Sequence, residues 1–125
     1  MMILNLTQHA ATAEQIAAGV VDLPPALRTQ LQALLTFDRL PTGAAVDERA
    51  LQIVQLIHEL EPAQAMIGGA PYLMPALEAA LSDICIGTLY SFSERVSEEQ
   101  TQADGSVRKV NIFRHIGFVP GGYGR

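Results

Sequence analysis

The order of its apolar segments constrains this chain more than any other feature. Residues 2–6, 63–67 and 84–92 read as strands, the last running Ile-Cys-Ile-Gly-Thr-Leu-Tyr-Ser-Phe, with the β-branched and aromatic content that a pleated interior favours. Helical patterns separate them. Thr12 and Gln15 have capping-box spacing, which predicts a helix over 13–18 ended by Gly19. Pro24-Pro25 open a second helix to about Phe37, in which Leu27, Leu31, Leu34 and Leu35 share a stripe. Leu51, Val54, Ile57 and Leu60 mark a third over 45–60, and Pro71 or Pro75 starts a fourth over 73–81. Strands alternating with helices call for a parallel sheet with right-handed crossovers.

The last two extended runs, 95–102 and 107–118, flank Ala103-Asp104-Gly105-Ser106. Asp-Gly between such runs signals a hairpin, because a type I′ turn needs positive φ at both central positions. The expected fold is therefore α/β: a small Rossmann-like three-layer domain over 1–119, its mostly parallel sheet ending in a C-terminal β-hairpin, followed by a flexible glycine-rich tail at 120–125.

Composition narrows the function. A single cysteine, Cys85, excludes an internal disulfide, and with three scattered histidines it leaves no zinc-like spacing. Cys85 is expected to be a buried, inert thiol in its strand. No leader-like segment and no membrane-spanning run is seen, so a soluble cytoplasmic protein is expected. The net charge of -5 argues against general duplex nucleic-acid binding. That charge is unevenly spread. Residues 1–94 balance at -7, whereas 95–125 balance at +2 through Arg95, Arg108, Lys109, Arg114 and Arg125. An anion would be held in the C-terminal quarter, where Lys109 is a candidate; the same charges also suit an ordinary solvated hairpin.

In open α/β sheets ligands gather beyond the carboxyl ends of the parallel strands. Three loops are expected there: Thr7-Gln8-His9, Gly68-Gly69 with Ala70-Pro71, and Ser91 to Arg95 including Ser93. Gly68-Gly69, read as leading straight into a helix, would let backbone approach a phosphate at that helix N-terminus, or would simply make a tight turn. Neither GxGxxG nor a P-loop lysine is present, which argues against a dinucleotide-dependent dehydrogenase and an ATPase. No serine occupies a nucleophile elbow, so a hydrolytic triad is not expected. A two-residue Asp-Gly loop would set Arg95 opposite Arg114 and Glu94 opposite His115. Two facing arginines need an anion or an acid between them, unless a bulge shifts the register. His9 and His115 fall at this sheet end as candidate proton carriers, while His58 reads as structural.

The opening Asn5-Leu-Thr-Gln-His-Ala-Ala-Thr-Ala-Glu-Gln15, with Gly68-Gly69 and Ser91-Phe92-Ser93, resembles small CRISPR-associated Rossmann-like proteins related to CARF domains. The resemblance covers the first 15 residues or so and two short loops. It implies binding of an anionic nucleotide, a cyclic oligoadenylate, usually by a homodimer with the ring across the two-fold axis. It also implies ring-nuclease cleavage without metal or other cofactor, by attack of a ribose 2′-hydroxyl on the adjacent phosphate. Arg95 and Arg114 would then stabilise charge and His9 or His115 assist proton transfer, with Thr7, Gln8, Gly68, Gly69, Ser91, Ser93 and Lys109 holding the ligand. A non-catalytic nucleotide-sensing dimer and an interaction protein of a mobile element are the alternatives.

Overall fold

The computed structural model describes residues 2–122. One five-stranded sheet has the order β2-β1-β3-β4-β5, with β1 Ile3–Leu6, β2 Val20–Val21, β3 Gln64–Ile67, β4 Gly87–Thr101 and β5 Val107–Pro120. The first four strands are parallel and β5 returns antiparallel along β4. Helices α1 (Ala13–Ala17), α2 (Pro25–Leu34), α3 (Gly43–Ile57) and α4 (Met74–Asp83) connect them, with a 3-10 turn at His58–Leu60. The fold is mixed α/β, mostly parallel, with a C-terminal antiparallel hairpin.

Local chemistry explains the helix starts. Thr12 and Gln15 close a full capping box on α1, Pro25 opens α2 where its missing N–H is not needed, and Thr42 caps α3 by accepting from the Ala45 N–H. The buried stripe of α3 is Val46, Ala50, Ile53, Val54 and Ile57; that of α4 is Met74, Leu77, Ala80 and Leu81. Both pack against Leu4, Leu6, Ala65 and Ile67, the side chains that β1 and β3 turn to one face. Fully burying each of the Leu, Ile, Val and Met side chains among them contributes roughly 1.5–3 kcal/mol, so this face carries most of the stability. Ile3, Met66 and Leu89 point the other way, into a smaller cluster with Val20, against which Ala11 and Phe118 pack.

Three segments depart from the expectation. The strand read from 84 begins only at Gly87, because α4 continues to Asp83 and closes with the Ile86 N–H donating to the Leu81 carbonyl. Cys85 sits in that closure at φ 62, the left-handed site usually given to glycine, and its thiol is exposed rather than buried. β2 is a two-residue strand that follows Gly19 at φ 104, too short to show a period. Gly68-Gly69 do not run straight into a helix either, since the turn through Pro71 to Leu73 precedes α4.

The hairpin loop has three residues, not two. The Gln102 N–H donates to the Ser106 carbonyl and the Gly105 N–H to the Gln102 carbonyl, with Gly105 at φ 86, a turn that ends in a left-handed residue. Asp104 accepts from both the N–H and the hydroxyl of Ser106, and these bonds hold its carboxyl below the usual range. The extra residue shifts the register by one. Arg95 is opposite Phe113, and Arg114 is opposite Glu94, so the two arginines lie on opposite faces and form no anion clamp. His115 is opposite Ser93 rather than Glu94, just beyond a bulge that leaves Ile116 without a partner.

Two residues of the expected 120–125 tail are tied to the sheet. Pro120 ends β5, and Gly121 is buried with its N–H on the Thr88 carbonyl. Residues 123–125 lie outside the described residues.

Candidate functional site

Strand order reverses between β1 and β3, since the chain steps from β1 to β2 on one side and later to β3 on the other. Such a switch point opens a crevice at the carboxyl ends of the strands. Here the crevice is a cleft of about 500 Å³ lined by Thr7, His9, Ala10, Thr12 and Gln15 from the β1 end, Met66 to Gly68 from β3, and Tyr90, Ser91 and Ser93 from β4. All three expected loops reach it.

The first loop is built on one buried polar side chain. Asn5, 4% exposed, stands within the apolar strand and uses its whole amide. Its Nδ2 donates to the His9 carbonyl at 2.8 Å and to Asp22 Oδ1 at 2.7 Å. Its Oδ1 accepts from the Thr7 N–H at 2.9 Å and the Thr7 hydroxyl at 2.7 Å. Asp22 also accepts from the Ala11 N–H at 3.0 Å. Asn5 and Asp22 thus fix residues 7 to 11 in one shape, which leaves the exposed His9 ring at the cleft wall. Neither residue was expected at the site, although a lone Asn between Leu4 and Leu6 is a visible signal: a buried amide demands partners.

The far wall carries a hydrogen-bonded chain. Gln15 Nε2 donates to Ser91 Oγ at 3.1 Å, and Ser91 Oγ lies 2.7 Å from His115 Nδ1. Ser91 Oγ has one proton and two acceptor positions, so beside the Gln15 bond it donates to His115 Nδ1 in the tautomer that leaves Nδ1 bare and accepts from it in the other. The His115 ring rests against Phe118, centroids 4.7 Å apart. Gln15 therefore does two jobs, since its Oε1 completes the α1 capping box. Beside Ser91, the Tyr90 phenol is pushed above its ordinary value by burial first, then by the charge and hydrogen bond of Glu78.

The remaining candidates lie elsewhere. Gln8 turns to α2, donating to Thr36 while Gln32 donates to its carbonyl, and it does not line the cleft. Gly69, at φ 141, faces the Met74 methyl instead, whereas a Cβ on Gly68 would meet the Thr7 methyl at 3.4 Å. Arg95 packs its guanidinium 5.4 Å from the Phe113 ring centre, and Lys109 is opposite Glu99 far along the hairpin. His58 bonds the Gln55 carbonyl at the end of α3.

A larger concavity of about 900 Å³ lies between α3, α4 and the 37–42 loop, lined mostly by apolar side chains such as Phe37, Leu40, Pro41, Val46 and Tyr72. Its polar lining is Asp38, Arg39, Thr42, Asp47 and the Tyr72 phenol, and among the described residues it has no amide or imidazole side chain. The switch-point cleft combines both with hydroxyls from the β1 and β4 ends, the kind of polar convergence that fixes orientation in binding sites. The smaller cleft is accordingly the candidate. Among the described residues, no group of three or more His, Cys, Asp or Glu side chains is placed to hold a metal ion, and no helix is long and apolar enough to cross a membrane.

Residues 1–119 match the Uncharacterized protein MJ1673 family, and the chain belongs to that family. No curated protein and no solved structure matches the chain.

Proposed function

We propose that this member of the MJ1673 family is a cytoplasmic, Rossmann-like nucleotide-binding protein whose switch-point cleft holds an anionic nucleotide, and that it cleaves cyclic oligoadenylate without metal. The observation that carries this reading is the convergence of Thr7, His9, Gly68, Ser91 and Ser93 on one cleft beside the Ser91–His115 pair. About 500 Å³ suits a ligand of one or two nucleotides rather than a whole ring, so a cyclic substrate would be gripped over part of its circumference.

In the proposed reaction a ribose 2′-hydroxyl attacks its neighbouring phosphorus. A 2′-O–P bond forms and the P–O5′ bond breaks. The attacking hydroxyl gives its proton to Ser91 Oγ as Ser91 passes its own to His115 Nδ1, and His9, protonated, delivers one to the departing 5′-oxygen. The products are a 2′,3′-cyclic phosphate and a 5′-hydroxyl. Thr12, Gln15 and Ser93 would donate to the phosphate oxygens, with Thr7, its hydroxyl proton held by Asn5, shaping the wall and Gly68 allowing close approach. Arg95 and Arg114 are given no part in the cleft.

Among the described residues no arginine lines the cleft, which favours a second reading, a sensor that binds the same ligand without cutting it. Incubation with a panel of cyclic oligoadenylates in EDTA, followed by chromatography, separates the two. Linear products ending in 2′,3′-cyclic phosphate, lost in His115→Ala, support cleavage. Thermal stabilisation without products supports the sensor; neither result means that both readings fail.

A further inference from the structure

The hairpin outruns the domain beneath it. β3 pairs with β4 only up to Leu89, whereas β4 and β5 continue through nine further rungs from Ser93–His115 to Thr101–Val107, a ribbon roughly 30 Å long at about 3.4 Å per residue. Every residue of those rungs is exposed or half-buried. A two-stranded ribbon standing alone in water is marginal, and it gains stability from a further layer.

Its two faces differ. One presents Ser93, Arg95, Ser97, Glu99 and Thr101 with their partners His115, Phe113, Asn111, Lys109 and Val107, a set whose apolar members are Phe113 and Val107. The other continues the side on which Tyr90 meets the main core, through Val119, Phe92, Val96, Ile112 and Val110. Phe92 is 56% exposed and Val119 42%. The same face also carries Glu94 opposite Arg114, Glu98 opposite Val110 and Gln100 opposite Arg108, so that on this face the acids stand on β4 and the bases on β5. Acids cluster on β4 at Glu94, Glu98 and Glu99, and bases on β5 at Arg108, Lys109 and Arg114.

We infer that this face is a homodimerisation surface, covered by the same face of a second copy. A two-fold axis along the ribbon lays β4 of one protomer over β5 of its partner. Val96 of each protomer then meets the partner's Ile112, Glu94 meets the partner's Arg114, and Glu98 comes diagonal to the partner's Arg108, so each acid of the face gains a base of the other chain. An uncharged apolar partner would bury Glu98, opposite Val110 in its own ribbon, with no countercharge directly facing it. A nucleic acid would meet the acidic edge as well as the basic one. The inference is independent of what the cleft binds.

Sedimentation velocity of the full chain tests it. The wild type is expected to be dimeric at micromolar concentration. Ile112→Lys on the apolar face is expected to weaken the dimer at least ~tenfold, and Phe113→Lys on the other face to leave it intact. Glu94→Arg alone and Arg114→Glu alone each set like charges against like and are expected to sediment as monomers, with circular dichroism showing both folded. An equimolar mixture of these two variants restores opposite charges only between chains and is expected to dimerise. A monomeric wild type, or a mixture that stays monomeric, overturns the proposal.

Discussion

Replacing Asn5 by Asp changes one atom type and reverses two contacts. The shape is unchanged and Oδ1 still accepts from Thr7, but the donor that reached the His9 carbonyl at 2.8 Å and Asp22 Oδ1 at 2.7 Å becomes an oxygen. Two carboxylate oxygens at that separation do not both stay ionised, so the folded protein must hold a proton between them. Keeping it there at pH 7, against an ordinary value near 3.9, costs about 1.4 kcal/mol per pH unit and roughly 4 kcal/mol in all. If the loop relaxes instead, one charged and one neutral hydrogen bond are lost, about 2–4 kcal/mol together. Either way Asn5→Asp is expected to lose about 2–4 kcal/mol at pH 7. The pair's folded pKa is raised above the unfolded value, so its protonated form is favoured by folding; the deficit against wild type should shrink as pH falls towards 4, about the ordinary carboxyl value. Urea unfolding followed by circular dichroism at several pH values measures this. A deficit that ignores pH would mark the relaxed loop, and an undiminished stability at pH 7 would refute the assigned role of Asn5.

Four further outcomes follow from the same contacts. Gly121→Ala should destabilise by about 1–3 kcal/mol in urea titrations, since a Cβ there collides with Thr88 Oγ1 and the Glu78 carboxylate. Gly105→Ala should lose about 1 kcal/mol through its φ of 86, with open space around it and hence no steric addition. Tyr90→Phe should remove a stabilising contribution that wild type keeps below the ordinary phenol value of 10.0 and loses as pH climbs through the raised one; unfolding curves from pH 8 to 11 should converge for the two proteins at the alkaline end. Ser91→Ala breaks the link from Gln15 to His115, and product chromatography should show at least about a hundredfold slower cleavage with unchanged ligand-induced stabilisation.

Much of this was legible in the residues. The apolar runs at Ile3–Leu6 and Gln64–Ile67 and the caps at Thr12 and Pro25 are local signals, and local signals survive folding. Thr7, His9, Gly68, Ser91 and Ser93 could be placed because the parallel topology brings strand ends together whatever the details of packing. What failed depended on side-chain direction or on a single residue of register. Gln8 and Gly69 lie in the right loops but turn away. Asp-Gly suits a two-residue or a three-residue hairpin loop equally well, and the choice here rests on Asp104 accepting from Ser106 while Gly105 takes the left-handed position. That one residue separated Arg95 from Arg114 and brought His115 to Ser91 across the bulge. The Asn5–Asp22 bond joins residues from separate strand ends, a partnership that spacing does not reveal.

The most direct test of the cleft is a titration of isotopically labelled protein with cyclic oligoadenylate in EDTA, followed by amide chemical shifts. Binding in the switch-point cleft predicts that the largest changes fall on Thr7, His9, Gly68, Ser91 and Ser93, with Lys109 unmoved. Shifts confined to the hairpin or to the apolar groove beside Phe37 and Tyr72, or no shifts at all, would contradict the account.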